Sequence, residues 1–370
     1  MENTMLNAAV AAFPFEGAVE TCDELHAGNI NNTYYLRTRD NSGAAHEYIL
    51  QRVNKYAFKD PQALMRNIGL VTRHLEKAIA AGGEDPADKV LRFITAGNGT
   101  LLFTDAEGQY WRSYHYVGHA VAHNRAESPV LFSQAGKAFG KFQRLLIDFP
   151  AAELTETIPG FHNTRKRFFT FTRSVEADAA GRVKANEDII DEVFSRRRAM
   201  CQIVDKIESG ELPLRVTHND TKINNVLLDE ETGREKCVID LDTVMPGVAA
   251  YDFGDAIRFG ASTAAEDEED TGKISLDLDL YTAFCEGFVG ETAGILTPAE
   301  IMSLPLGVRV ITTEQVTRFL TDYLDGDKYF KIRYPEHNIV RARAQLALLR
   351  DVEKKYGAMC EITRKIAGLK

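Results

Sequence analysis

The chain has 370 residues, of which 44 are Lys or Arg and 54 are Asp or Glu, giving a formal net charge of −10. This acidity argues against nucleic acid as a partner, because a phosphate backbone requires a basic surface. The length favours two lobes over a single core. No apolar run is as long as a membrane span and the N-terminus lacks a basic secretory start, so a cytoplasmic protein without membrane attachment is expected.

The first 117 residues are predicted to form a small lobe built mostly of β-strands. Residues 5–13 carry apolar side chains at helical spacing, and an asparagine-rich turn then leads into an aromatic strand. The apolar stripe of 65–80 predicts an amphipathic helix. The other strand-like runs are 47–53, 91–94, 101–104 and 110–117.

The asparagine-rich turn is a candidate phosphate-covering loop. In kinases a loop at this position lets backbone N–H groups approach the phosphate oxygens of the nucleotide. Asn31 and Thr33 are therefore candidate nucleotide contacts. A plain hairpin is the alternative, since Gly28 is the one glycine in the turn.

Strand 47–53 lacks the lysine with which kinases hold the α- and β-phosphates. Because side chains alternate along a strand, either Gln51 or Arg52 faces the nucleotide, but not both. Arg52 is the chemically sensible phosphate contact, whereas the usual lysine position fits Gln51 equally well. The sequence leaves this choice open.

The run 110–117 leads out of the small lobe. In a kinase the backbone at this point forms a hinge that reads the edge of the adenine base. Tyr116 and Val117 are the candidate hinge residues. A generic aromatic strand explains the same pattern.

Residues 118–370 are predicted to form a larger, mostly helical lobe. Their apolar side chains recur at three- or four-residue spacing. The acidic run 266–270 is expected to be a solvated loop. The predicted helices are 129–149, 186–209, 276–290, 298–324 and 336–367.

The centre of this lobe is a predicted hairpin with polar residues at both ends. Aliphatic runs at 226–228 and 237–239 are joined by a turn that contains glycine. Asp220 and Asn225 precede the hairpin, and Asp240 follows it. This order matches the kinase pattern H-x-D-x-x-x-x-N followed by a metal-binding Asp.

Phosphoryl transfer requires a carboxylate to orient the attacking hydroxyl, hard oxygen ligands for magnesium, and cations around the transferred group. Asp220 is the candidate base, and Lys222 is the cation placed to reach the γ-phosphate. Asn225 and Asp240 are the candidate magnesium ligands, whereas His218 is expected to be structural. Each residue alone is better explained as a turn or cap residue, but their joint spacing is not.

Several longer segments carry a resemblance to a known family. They include VTHNDTKINNVLLD, VIDLDTVMPG and YDFGDAIRFGASTA, and with others they span nearly the whole chain. In these segments the chain resembles the aminoglycoside phosphotransferase and choline kinase-like family. The resemblance implies an α+β, bilobal protein-kinase-like fold with a β-rich N-lobe over 1–117 and a helical C-lobe over 118–370. It also implies an enzyme that uses ATP and Mg2+.

Within that family, GNINNTYYL, YILQRVN and RFLTDYLDGDKYF resemble the sugar kinases that phosphorylate the anomeric hydroxyl of N-acetylglucosamine or N-acetylgalactosamine. That resemblance places Asp220 beside the sugar O1 and makes Arg318 and Tyr329 sugar contacts, although Tyr329 is equally well explained as a packing aromatic. Asn29 stands where such kinases carry a histidine, which is expected to affect either the preference among sugar epimers or the affinity for the sugar. A monomer that binds ATP and an N-acetylhexosamine is expected.

Two other functions compete with a sugar kinase. A kinase for an amino alcohol or an aminoglycoside would require an acidic pocket, for which the run 266–270 is the obvious candidate. Arg318 at the acceptor site argues against such cationic substrates. A catalytically silent nucleotide-binding module would have no need of Asp220.

Overall fold

A computed structural model describes residues 2–25 and 30–370 of the chain. A β-sheet makes up most of the N-terminal region and helices most of the C-terminal region, which confirms the predicted α+β class. No helix within the described ranges is both long enough and apolar enough to cross a lipid bilayer.

The strands and helices are numbered in chain order. The strands are β1 Ala18–Leu25, β2 Asn32–Arg39, β3 Ala45–Val53, β4 Phe103–Thr104, β5 Tyr110–His115, β6 Ala120–Ala122, β7 Arg215–Thr217, β8 Val226–Asp229, β9 Glu235–Val238 and β10 Met245–Gly247. The helices are α1 Glu2–Ala12, α2 Pro61–Ala81, α3 Pro129–Leu145, α4 Thr164–Ala177, α5 Glu187–Ser195, α6 Arg197–Met200, α7 Gln202–Glu208, α8 Ala249–Gly260, α9 Leu278–Thr292, α10 Pro298–Leu324 and α11 His337–Ile366.

The main sheet is antiparallel, with its strands in the order β1-β2-β3-β5-β4. Its register places Thr33 opposite Gln51, and Gln51 opposite Arg112, so these side chains form one row across the sheet. The neighbouring row includes Arg52 opposite Trp111. Because side chains alternate along each strand, the two rows point to opposite faces.

Helix α2 connects the sheet to the helical region. The helix is capped by Asp60, whose side chain accepts a hydrogen bond from the backbone N–H of Ala63 at 2.9 Å. On its buried side, the Asn67 amide donates to the carbonyl oxygens of Thr155 at 2.7 Å and Val244 at 3.0 Å. Asn67 also accepts from the backbone N–H of Thr155 at 3.0 Å. These hydrogen bonds join α2 to the C-terminal region.

Helix α8 lies in very close contact with α10. A Cβ added to Gly307 would lie 1.9 Å from the carbonyl oxygen of Ala250, and one added to Gly254 would lie 2.5 Å from the carbonyl carbon of Gly307. Only glycine permits this approach of the two backbones. Residues 249–258 are all buried, and the charged residues Asp252, Asp255 and Arg258 recur every three residues along one side of α8. This close packing against α10 holds α8, and with it the acidic side chains of α8, in a fixed position beside the candidate site.

Most predicted helices of the C-terminal region are confirmed, and α10 has the predicted bounds. The prediction of one helix over 186–209 is wrong, because the short helices α5, α6 and α7 occupy that range. The chain turns at Arg196, whose guanidinium binds Glu353 of α11 at 2.7 Å and also binds Glu192. Helices α4 and α8 were not predicted.

Two smaller expectations also need correction. Residues 91–94 form no strand, because they meet β5 at one bridge, between Phe93 and Tyr114, while β4 pairs with the start of β5. The acidic run is half-buried at its start instead of fully solvated. Glu266 accepts a hydrogen bond from Arg258 at 2.8 Å.

Candidate active site

Asp252 of α8 holds the loop that follows β7. Its carboxylate accepts hydrogen bonds from the backbone N–H of His218 at 2.9 Å and of Asn219 at 2.7 Å. Gln143 of α3 donates to the same carboxylate at 2.8 Å. Burial raises the pKa of Asp252, and these groups oppose that shift. Sequence reasoning missed this residue because it lies far along the chain from the loop it holds.

The buried ring of His218 joins both sides of the hairpin. Its Nε2 lies 2.9 Å from the carbonyl oxygen of Ile239, and its Nδ1 accepts from the backbone N–H of Asp220 at 3.3 Å. The ring also meets Phe139 edge-on, with the centroids 5.5 Å apart. These contacts agree with the structural role expected for His218.

Asp220, Lys222 and Asn225 form a compact group before β8. The Lys222 ammonium lies 2.8 Å from Asp220 Oδ1, and the Asn225 amide nitrogen lies 3.2 Å from Asp220 Oδ2. Asn225 also donates to the backbone carbonyl of Asp220 at 2.8 Å. Burial alone would lower the pKa of Lys222, but the charges of Asp220 and Asp255 outweigh it and the pKa is raised. The Asp220 side chain remains 26% exposed and can meet a substrate.

Asp240 follows β9 in a left-handed conformation, with φ 59° and ψ 60°. Burial, together with the nearby carboxylates of Asp242 and Asp220, raises the pKa of its carboxyl to about 7. The backbone next to it is fixed by a hydrogen bond from Ile239 N–H to the carbonyl of Asn225 at 2.9 Å. Hence Asp240 and Asn225 are brought together.

This donor set fits a divalent cation such as Mg2+. A buried carboxylate surrounded by other carboxylates is stabilised by a bound cation. Asp240 could supply one oxygen ligand, and Asn225 could supply its amide oxygen, since its nitrogen is engaged with Asp220. The described residues hold no cluster of three or more His, Cys, Asp or Glu placed to bind a metal. Magnesium suits such a sparse set, because it commonly takes one or two carboxylates together with substrate phosphates and water.

Asp242 links this group to the N-terminal sheet. Its carboxylate forms a buried ion pair with Arg112 of β5, and its other oxygen accepts from the Asn31 amide at 2.7 Å. Arg112 Nε donates to Gln51 Oε1 at 2.9 Å, and Gln51 in turn donates to the Thr33 hydroxyl at 3.1 Å. Neither Arg112 nor Asp242 was predicted from the sequence. The only local signal was that Asp242 lies two residues after the predicted metal ligand.

The row that faces Asp242 therefore contains Gln51 and not Arg52. Arg52 lies on the opposite face, where it donates to Asn32 at 3.0 Å and stands 6.0 Å from the Trp111 ring centroid. The expectation that Arg52 contacts phosphate requires correction, because strand alternation turns its side chain away from the Asp242 side. Asn29, the predicted sugar-preference residue, lies outside the described residues.

The predicted hinge follows β5. The backbone N–H of Tyr116 donates to the carbonyl of Glu47 at 2.9 Å, which extends the pairing with β3. Its ring meets Tyr35 edge-on at 5.3 Å. Val117 is buried, and among the described residues its backbone N–H and carbonyl form no hydrogen bond.

Arg318 and Tyr329 line one cavity of about 170 Å³ beside α10. The Arg318 guanidinium carbon lies 5.6 Å from the Phe161 ring centroid and 5.5 Å from that of Phe330. Tyr329 is 71% exposed. The loop that carries it is held by Asp322, whose carboxylate accepts from the backbone N–H groups of residues 328–330 at 2.8–3.0 Å.

A buried His162–Glu314 pair lies between this cavity and α8. The His162 Nδ1 is 3.0 Å from Glu314 Oε2, and the His162 ring packs on Tyr251 with the centroids 4.8 Å apart. Burial would raise the pKa of Glu314, but the charges of His162, Arg318 and Arg167 outweigh it and the pKa is lowered. The pair therefore connects the arginine cavity to the helix that holds the Asp220 loop.

A β-sheet region joined to a helical region, with Asp220, Asn225 and Asp240 gathered around a hairpin, defines a kinase-like small-molecule phosphotransferase. The model of the phosphotransferase enzyme family, APH, matches residues 21–284. Since that range covers more than half of the chain, the protein belongs to this family.

Solved structures share the fold. A microcompartment-associated aminopropanol kinase matches with a TM-score of 0.59 at 15% identity, covering 96% of this chain and 98% of its own. An amicoumacin kinase in complex with AMP-PNP and Ca2+ matches with a TM-score of 0.59 at 13% identity, covering 100% of this chain and 96% of its own. A choline/ethanolamine kinase family protein from Mesorhizobium loti matches with a TM-score of 0.54 at 16% identity, covering 99% of this chain and 100% of its own. At these identities the likeness concerns the fold alone.

Proposed function

We propose that this protein is an ATP- and Mg2+-dependent kinase that phosphorylates the anomeric hydroxyl of an N-acetylhexosamine. The observation that carries the choice of acceptor is the position of Arg318 between the Phe161 and Phe330 rings. A kinase for an ammonium substrate can use such rings to receive the cation of the substrate. In this protein its own guanidinium occupies that position.

The charges of the cavity also favour an uncharged acceptor. Arg167 and Arg318 both line it. Burial and the nearby positive charge of Arg318 together lower the pKa of Arg167. Asp322 is engaged by backbone donors, which leaves Asp325 as the other acidic side chain of the lining. Ring and acetamido oxygens can accept hydrogen bonds from the fixed fork of a guanidinium, whereas an ammonium group would be repelled.

In this proposal Asp220 orients the anomeric hydroxyl and accepts its proton. Lys222, paired with Asp220 at 2.8 Å, stands where it can contact the transferred phosphoryl group. Asn225 and Asp240 hold Mg2+, which neutralises negative charge on the phosphates. Arg318 fixes the sugar ring, and Tyr329 closes the exposed side of the cavity.

The nucleotide is assigned to the cleft between an N-lobe over 1–117 and a C-lobe over 118–370. Asn31 and Thr33 belong to the face of the sheet that meets Asp242, where the phosphates would lie. Tyr116 and Val117 form the adenine hinge, because the Val117 backbone groups have no hydrogen-bond partner among the described residues. The protein is proposed to act as a cytoplasmic monomer.

An amino alcohol or aminoglycoside acceptor is the alternative. The acidic run 266–270 was its main support from sequence. Glu266 is paired with Arg258 at 2.8 Å, and Asp267 lies 3.2 Å from His337 Nε2. These carboxylates are thus engaged within the protein and are not free to bind a cationic substrate.

The decisive experiment measures ADP production from ATP and Mg2+ across free hexoses, N-acetylhexosamines, choline, an amino alcohol and an aminoglycoside. We expect turnover with N-acetylglucosamine or N-acetylgalactosamine, and a product whose phosphorus couples to H1 in phosphorus–proton NMR. Turnover only with the cationic acceptors, or coupling to the C6 protons, would refute the proposal.

A further inference from the structure

We propose that Arg112 of β5 holds the phosphates of the nucleotide, in place of the lysine that kinases carry on β3. This inference rests on the proposed function in one respect, since it requires a nucleotide in the cleft. The proposal adds a nucleotide-binding residue that lies outside both the loop before β8 and the β8–β9 hairpin.

The register of the sheet supports this assignment. Gln51 of β3 stands at the usual lysine position but is uncharged, and the side chain directly across from it on β5 is Arg112. Both side chains are on the face that meets Asp242. Arg112, a cation on the strand next to β3, can therefore reach the part of the cleft that a lysine at the Gln51 position would reach.

The contacts of Arg112 orient it for this task. Nε donates to Gln51 Oε1 at 2.9 Å, and Nη1 pairs with Asp242. Gln51 is itself fixed, because its amide nitrogen donates to Thr33 at 3.1 Å. Among the described residues Nη2 donates no hydrogen bond, so one edge of the guanidinium is available to a phosphate oxygen.

Asp242 acts as the fixed counter-charge. In protein kinases the phosphate-binding lysine is held by a carboxylate, and the ion pair must be in place for activity. The Arg112–Asp242 pair reproduces that arrangement with the carboxylate two residues after Asp240. Both side chains of the pair are nearly fully buried, at 3% and 5% exposure, so solvent does not screen it.

The test compares binding of ADP with binding of adenosine, which shares the base and ribose but lacks phosphates. Calorimetry on the full chain should show that Arg112→Met weakens ADP about tenfold to a hundredfold, the scale of a charge-assisted hydrogen bond. The affinity for adenosine should change less than about twofold. Arg196→Met is the matched control, because Arg196 is also paired with carboxylates but lies among the helices.

A rescue variant separates phosphate binding from simple stabilisation. Adding Gln51→Lys to Arg112→Met returns a cation to the β3 position and should restore at least half of the lost ADP binding free energy.

If Arg112→Met does not fold, Arg112→Lys is measured instead. We expect it to weaken the binding of ADP several-fold and to leave the binding of adenosine unchanged. Equal losses for ADP and adenosine would show a purely structural ion pair and overturn the inference. Failure of the wild-type protein to bind ADP would instead overturn the proposed function.

Discussion

Lys222 and Asp220 form an ion pair of 2.8 Å within the loop before β8, and Asn225 contacts the other oxygen of the same carboxylate at 3.2 Å. Asp220 is therefore held from both sides. A carboxylate held in one orientation can meet an acceptor hydroxyl without reorganising, which is what a positioned base requires.

Replacing Asp220 by Asn should remove the proton acceptor and preserve the shape of the loop. We expect Asp220→Asn to lower kcat by at least about a hundredfold, while ADP affinity changes less than about twofold. Initial rates and calorimetry measure the two effects. Asp229→Asn, at the end of β8 next to the turn of the hairpin, is the matched control and should retain turnover. A parallel loss of ADP affinity would mean that Asp220 is architectural.

Asn225→Ala should weaken metal binding. Its amide oxygen is the proposed Mg2+ ligand, so the Mg2+ concentration for half-maximal rate should rise about tenfold, the lower end of the range for altered metal-site residues. Part of kcat should return when Mg2+ is raised. The neighbouring Asn224→Ala serves as control and should show the wild-type Mg2+ dependence. A rate for Asn225→Ala that does not respond to Mg2+ would count against the ligand assignment.

Arg318→Ala should impair sugar use and spare the nucleotide. Loss of charge-assisted hydrogen bonds to an uncharged ring is expected to raise the sugar KM by about tenfold to a hundredfold, with the ATP KM within about twofold of wild type. Arg318→Lys should recover little, because an ammonium lacks the planar fork. Arg341 stands 5.3 Å from the Phe319 ring outside this cavity, so Arg341→Ala is a suitable control. Comparable increases in both KM values would contradict a sugar-specific role.

The Arg215–Glu300 pair should make stability depend on pH. Burial would raise the pKa of Glu300, but hydrogen bonds from Arg215 and from the Thr297 backbone outweigh it, so the pKa lies below its ordinary value of 4.5. A carboxyl with a lowered folded-state pKa stabilises the protein above its unfolded-state pKa and loses that contribution as the pH falls.

Glu300→Gln should therefore lower the free energy of unfolding at pH 7 by about 1.5–3 kcal/mol, the range for hydrogen bonds to charged groups. The difference from wild type should shrink as the pH falls below about 4.5, the ordinary pKa of Glu300. Chemical denaturation at several pH values measures this difference. Glu336→Gln is the control, because Glu336 is an exposed residue that precedes α11. A difference independent of pH would exclude the charge as its source.

The grouping of the polar residues around the hairpin could be predicted because these residues are close in the chain. Asp220, Asn225 and Asp240 flank a single hairpin, and the pairing of β8 with β9 is sufficient to bring its two ends together. The strand pattern also showed that Gln51 and Arg52 face opposite ways. It could not show which of them faces the cleft, because both faces of the sheet are partly covered.

The contacts between distant segments could not be predicted. Arg112 and Asp242 are 130 residues apart, and nothing in either local pattern indicates the other. Asp252 belongs to a helix whose charged side chains, Asp252, Asp255 and Arg258, are buried, so its polar side contacts other segments instead of solvent. The single helix predicted for 186–209 failed because the backbone departs from helical geometry at Arg196, with φ −96° and ψ 4°, and again at Cys201, and the apolar spacing does not reveal these breaks.

Asn67 has a consequence for how the sheet can move relative to the helical region. Its hydrogen bonds to Thr155 and Val244 anchor α2 to the helical region, although α2 follows the sheet strands in the chain. The N-terminal region therefore cannot swing away as one rigid block without breaking buried hydrogen bonds. If these hydrogen bonds persist, any widening between the sheet and the helical region must move the sheet relative to α2. A nucleotide bound there, as we propose, would then be released by shear between the sheet and α2 rather than by a swing of the whole N-terminal region.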